Sequence, residues 1–253
     1  MLHHTLGGSA GPRVVLLHGL GSSSADWPEQ QAALHARHRV VAVDLPGHGG
    51  SPLPPGRLTI EGMARDVAAL LAREGEEPAH VVGLSLGACV ALRLALQSPA
   101  RVRTLTLVNP FARVQPAGPG DVARLALRLL LLGTAPMETV AAHVARRLFP
   151  WPEQRALYDS AVASLAATPR RAYLAAMRAL ARFDARGQVA AIRQPTLIVA
   201  GDRDTMVPLA AKTTLAAAIP GARLLVIPAS GHATPHDQPA AFNRALLEFL
   251  ASD

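Results

Sequence analysis

An α/β architecture with a mostly parallel central sheet follows from three observations. Short β-branched runs alternate with longer Ala/Leu-rich runs along most of the chain, as in a sheet covered by helices on both faces. Several of the short runs end directly in glycine-containing turns. Half of the 253 residues are hydrophobic, enough for one large domain or two small ones.

In chain order, the expected strands are 13–17 "RVVLL", 39–43 "RVVAV", 79–83 "AHVVG", 102–108 "VRTLTLV", 196–200 "TLIVA" and 223–227 "RLLVI". Helices are expected over 26–36, over 59–74 behind the N-cap Thr59, over 86–97 before Pro99, over 208–218 and over 236–250. The alternation breaks once, between Val108 and Pro195. That interval holds no convincing strand but several Ala/Leu/Arg helices, with Thr134-Ala135-Pro136 and Thr168-Pro169 as start signals. Residues 111–190 are therefore expected to form an inserted helical cap on a core made of 1–110 and 191–253, with "PFARVQPAGPG" as its hinge. The aliphatic run "LLLL" at 129–132, interrupted upstream by Arg124 and Arg128 and closed by Gly133, is too short to span a bilayer and reads as a buried helix face.

Composition narrows the class. The N-terminus lacks the basic start and apolar core of a secretory signal, so a cytoplasmic location is expected. The single cysteine, Cys89, rules out an intrachain disulfide and sits where a packed core thiol would. A net charge of +7 comes from 25 basic residues of which only Lys212 is lysine. Aromatics are scarce and no dense basic stripe stands out, which argues against nucleic-acid binding. No His/Cys/carboxylate cluster suggests a metal, and no cofactor is expected.

The stretch "HVVGLSLGACVALRLAL", residues 80–96, carries the chemistry. Ser85 lies between Gly83 and Gly87 where a strand gives way to a helix. Glycines at these two positions let the backbone fold closely around a strained serine that points out of the sheet top. Partners are expected at the carboxyl edge of the same sheet. The glycine-rich turn in "LLHGLGSS", 16–23, offers backbone N–H groups, and Leu20 together with Leu86 would hold a developing oxyanion. His18 reads as structural. After a later strand, "LIVAGDRDTMVP" offers Asp202 and Asp204, each either a turn residue or an orienting carboxylate. After the last strand, "VIPASGHATPHDQP" offers His232 in a Gly-flanked loop and then His236. The order Ser85, Asp204, His232 is one hydrolase order of nucleophile, acid and base.

Six ordered segments, "LLHGLGSSSADW", "VVAVDLPGHGGS", "VVGLSLGACVAL", "VRTLTLVNP", "PTLIVAGDRDTMVP" and "IPASGHATPHDQPAAFNRALLEFL", make the chain resemble the α/β-hydrolase fold family, in its capped esterase and lactonase branch. The resemblance implies a mostly parallel sheet of about seven strands flanked by helices, shortened at its leading hairpin. It implies Ser85 as nucleophile, His232 as base and Asp204, the fourth residue of a G-x-x-D turn from Gly201, as acid. Asn109, where some members place their acid, cannot serve as that carboxylate. Asp44, Gly47, His48, Gly49 and Ser51 are assigned to scaffolding.

The activity implied is cleavage of small to medium carboxylic esters through an acyl-enzyme. Enol-lactone hydrolysis, cofactor-free haloperoxidase or perhydrolase chemistry, and a ligand-binding protein on a hydrolase scaffold are the alternatives. Phe149 and Trp151, with Leu148, Tyr173 and Phe183, are expected to wall the acyl pocket, and Arg146 and Arg147 to meet substrate. Residues 111–190 carry eleven arginines against five acids, a net charge of +6. Such a cap would draw in anionic substrates, whether a carboxylate-bearing lactone or an acidic acyl carrier protein.

Overall fold

The computed structural model describes residues 1–114 and 118–252. The centre of the expected hinge, residues 115–117, lies outside the described residues. The chain opens with β1 (His4–Gly7), β2 (Arg13–Leu17), α1 (Pro28–Leu34), β3 (Arg39–Val43), α2 (Ile60–Glu74), β4 (Ala79–Leu84), α3 (Leu86–Gln97) and β5 (Val102–Val108). Four helices follow: α4 (Pro119–Thr134), α5 (Met137–Leu148), α6 (Arg155–Ala167) and α7 (Arg170–Arg182). The sheet then resumes with β6 (Thr196–Gly201), α8 (Leu209–Ala218) and β7 (Arg223–Ile227), and α9 (Thr234–Asp237) and α10 (Pro239–Ala251) close the chain.

Among the described residues the strands form one seven-stranded sheet in the order β1-β3-β2-β4-β5-β6-β7. Only β1 runs antiparallel, pairing Leu6 with Val41 at the edge of β3. The other pairings are parallel, so the carboxyl ends of β2 to β7 face one way. Alternation within each strand divides the core in two. Val15, Leu17, Val41, Val81, Leu105 and Ile198 face a layer that includes Met63, Val67 and Leu70 of α2 and Val90 and Leu94 of α3. Val14, Leu16, Val40, Val82 and Val199 face Leu34 of α1 and Phe242, Leu246 and Phe249 of α10. Both faces are dry, which is why these strands read as unbroken apolar runs.

The predicted elements recur with small shifts. Thr59 caps α2 by accepting from the Gly62 N–H at 3.0 Å. Cys89 is fully buried. The last predicted helix divides at Gln238 into α9 and α10. One expectation fails. Leu129 and Leu130 of the "LLLL" run are 48% and 60% exposed, because α4 packs chiefly through Leu132 and leaves most of its length open. Leu225 and Val226 of β7 are also exposed, since β7 is an edge strand with a neighbour on one side only. Among the described residues no helix is long and apolar enough to cross a membrane.

Candidate active site

The strand ends deliver the site. Directly after β4, Ser85 adopts φ 53 and ψ −106, a left-handed-side conformation that costs a non-glycine residue of order 1–3 kcal/mol. Its N–H donates to Val108 O at 3.0 Å, tying the turn to β5. The flanking glycines are steric requirements. A Cβ on Gly83 would lie 2.4 Å from Gly87 O, and one on Gly87 would lie 2.0 Å from Leu17 O. Ser85 is the N-cap position of α3 but its side chain makes no capping bond, so Oγ remains free to face the cavity it lines.

On the other side of the sheet edge, His232 Nδ1 lies 2.9 Å from Asp204 Oδ2. Asp204 is held from every direction. Its Oδ1 accepts the Met206 and Val207 N–H groups at 2.7 and 3.1 Å, and its Oδ2 also accepts from Lys212 Nζ at 2.7 Å. Burial alone would raise this carboxyl, but His232 and Lys212 outweigh burial and hold it well below the ordinary carboxylate range. Lys212 is fully buried in α8, and burial pulls its ammonium below its ordinary value against the opposing pull of Asp204.

The loop that carries His232 is clamped by a residue outside the pair. Asn109 sits at φ 46 after β5 and is fully buried. Its Nδ2 donates to His232 O at 2.7 Å and Thr234 Oγ1 at 2.9 Å, and its Oδ1 accepts the Gly201 N–H at 3.0 Å. Asp202 accepts the Ser230 N–H at 3.2 Å and so braces the same loop from the β6 side. Among the described residues it is Asp204, not Asp202, that pairs with the His232 ring. Asp237 closes the loop by accepting from Gly231 N and Ser230 Oγ at 2.6 and 2.8 Å.

The turn after β2 lies opposite. His18 is buried, donates from Nδ1 to Gly19 O at 2.7 Å, and accepts the Leu45 N–H on Nε2 at 3.0 Å. Burial keeps this imidazole below its ordinary value, hence neutral and able to accept. Asp44 accepts the Ser24 and Gly50 N–H groups at 2.6 and 2.8 Å, which makes the "DLPGHGGS" turn a brace for the 18–24 loop. Leu20 stands in that loop and Leu86 opens α3 as its first helical residue, where backbone N–H groups have no intrahelical partner.

A cavity of about 420 Å³ joins these parts. Ser85, His232, Leu20 and Phe149 line it, together with Arg128 of α4 and His236 of α9. Leu148 lines it as well, whereas Trp151, Tyr173 and Phe183 do not. Trp151 instead packs under Arg203, whose guanidinium lies 5.2 Å from the ring centroid. Arg146 and Arg147 are also absent from the wall. Arg146 is exposed, and Arg147 donates to Thr205 O at 2.7 Å. The helix explains Arg146, since α5 buries Val140, Ala141, Val144 and Ala145 and turns 146 to the opposite side, whereas Arg147 stands at the edge of the buried face, half-buried, and is drawn off by Thr205. Lys212, Asn109 and Arg128 were the contributors missed by sequence reasoning. The available signals were the chain's one lysine, and an arginine inside the aliphatic run 125–132 of α4.

The chain belongs to the α/β-hydrolase fold family, whose model matches residues 12–239. A protein of Variovorax paradoxus (strain S110) named carbamate hydrolase RutD is 39% identical over 261 residues, covering 99% of this chain and 96% of the relative. The crystal structure of a hydrolase from Pseudomonas aeruginosa PA01 superposes with a TM-score of 0.89 at 33% identity, over 98% of this chain and 94% of the other. The enol-lactonase from Burkholderia xenovorans LB400 superposes with a TM-score of 0.90 at 28% identity, over 99% and 96%. The protein is accordingly a hydrolase in fold and kinship.

Proposed function

We propose that the protein is a serine hydrolase that cleaves carboxylic esters or lactones of small to medium acyl groups through an acyl-enzyme. The observation that carries this reading is that the strained Ser85 and the Asp204-bound His232 line one cavity. Nδ1 of His232 is committed to Asp204, which leaves Nε2 to take a proton from Ser85 Oγ. As Oγ attacks the carbonyl carbon, its proton passes to Nε2 and Asp204 stabilises the imidazolium. The backbone N–H groups of Leu20 and Leu86 are assigned to the oxyanion. Collapse of the tetrahedral intermediate expels the alcohol, which receives the Nε2 proton. Water then adds to the acyl-enzyme with His232 as base again, releasing the acid and restoring Ser85. Helices α4 to α7, within 111–190, are assigned the role of a cap over the cavity.

A carbamate presents the same carbonyl to the same groups. The full-length likeness to proteins named carbamate hydrolase favours it as the second reading of substrate. The experiment for the shared mechanism is covalent labelling with a fluorophosphonate. One label on Ser85, lost in Ser85→Ala together with hydrolysis of 4-nitrophenyl esters, is the expected result. Equal hydrolysis by the wild type and Ser85→Ala would remove Ser85 from the chemistry.

A further inference from the structure

Ester cleavage itself needs no fixed cation in the cavity wall, yet the wall contains one. Arg128 is the single charge in "LALRLLLL" of α4. Its guanidinium lies over the Tyr173 ring, 5.0 Å from the centroid, and Nη2 donates to the Tyr173 hydroxyl. Nε is buried and has no hydrogen-bond partner among the described residues. No acid there neutralises Arg128 either. On the same helix Asp121 is engaged by Arg124. Across the cavity, the Asp26 carboxylate is held by Ser22, Ser23 and Ser164. Burial, with the charge of Arg147 added, brings Arg128 from 12.5 to about 10, so it stays cationic at neutral pH.

A half-buried guanidinium whose Nε is shut off from water and which has no counter-ion is costly to hold in place. Its planar fork of donors matches a carboxylate better than any neutral group. We infer that Arg128 is an anion subsite of the cavity, and that the physiological substrate is an ester, lactone or carbamate which also carries a carboxylate. The subsite is a fixed contact and differs from steering by the exposed arginines of 111–190. The inference rests on the serine-hydrolase reading for the identity of the reacting bond, but not for the anion contact.

The test compares two esters of equal acyl length, 4-nitrophenyl hexanoate and mono-4-nitrophenyl adipate. The wild type should prefer the adipate ester in kcat/KM, and Arg128→Met should reduce that preference at least tenfold, chiefly through KM. The preference should survive 1 M salt, where the Debye length of about 3 Å abolishes steering between exposed charges. Should Arg128→Met fold poorly, the wild type still decides, through inhibition by adipate against adipamide. A Ki at least tenfold lower for adipate is expected. Equal inhibition, an unchanged preference in Arg128→Met, or a preference lost at 1 M salt would overturn the subsite. If neither ester is cleaved and the fluorophosphonate does not label, the serine-hydrolase reading fails. Calorimetric binding of adipate, lost in Arg128→Met, then still decides for or against the anion contact.

Discussion

Replacing Lys212 by methionine separates two effects that share one carboxylate oxygen. Lys212 Nζ and His232 Nδ1 both lie against Asp204 Oδ2, at 2.7 and 2.9 Å, so the ammonium and the imidazole flank one oxygen atom. Asp237 and the guanidinium of Arg147 also act on Asp204, from the end of α9 and from α5. Two unit charges about 5 Å apart repel by about 3 kcal/mol at an effective dielectric constant of ~20. Lys212 therefore opposes the positive charge that the imidazole must acquire. Half of that repulsion is about 1.6 kcal/mol, equivalent to about one pH unit.

Lys212→Met should shift the acid limb of kcat/KM against pH upward by about one unit, because imidazolium formation becomes easier without the ammonium. The plateau at higher pH should be retained, since Met206 and Val207 still hold Asp204. The assay is hydrolysis of a neutral 4-nitrophenyl ester from pH 5 to 9. An unmoved acid limb with a lowered plateau would refute the electrostatic role and make Lys212 a positioning contact only. Thermal stability should fall, though by less than for Asp204→Asn, because Asp204 loses one partner but keeps Met206, Val207 and His232. Burial already pulls the ammonium below its ordinary value despite Asp204, so the lysine is held against its own preference. Asp204→Asn, by contrast, strands Lys212 without a counter-ion and should cost about 3–5 kcal/mol, which Lys212→Met in the same chain should largely restore.

Asp204→Asn should lose far more activity than Asp202→Asn, by several powers of ten in kcat, because Asp202 only braces Ser230; equal losses would reverse the assignment of the acid. Asn109→Ala removes the amide that joins the His232 loop to β6, leaves the Gly201 N–H unpaired, and should cost about 3 kcal/mol, a fall in Tm of roughly 6–12 °C by calorimetry. His48, with burial first and His18 second, is lowered from 6.5 to about 3, so it stays neutral in the fold and takes up a proton on unfolding below pH 6.5. Its contribution to stability is therefore lost as pH falls from 6.5 toward 3, by about 1.4 kcal/mol per pH unit, and urea titrations of His48→Leu should show a flatter dependence there.

What the sequence reveals follows from where the determining forces act. Ser85 is legible because its constraint is local: two glycines are needed where Cβ atoms would meet Gly87 O and Leu17 O, and both stand within two residues of it. The strands β2 to β6 are legible because burial on both faces leaves only β-branched and aliphatic residues. His4–Gly7 gives no such signal, since it is four residues long, antiparallel, and exposes Leu6 to 65%. Pairings across the fold are harder to see. Lys212 meets Asp204 only because the turn after β6 brings the interior of α8 back under that strand, a closure no local pattern encodes. The arginines between 111 and 190 show both sides of the problem. Charge counting favours Arg146 and Arg147; the 3.6-residue period of α5 already turns Arg146 outward from Val140 and Val144, but it leaves Arg147 beside them, and only the bond to Thr205 O takes that side chain out of the cavity. The same period cannot single out Arg128, because α4 is aliphatic on nearly every side. The cavity claims that arginine through Tyr173 of α7, which stands over it 45 positions later in the chain.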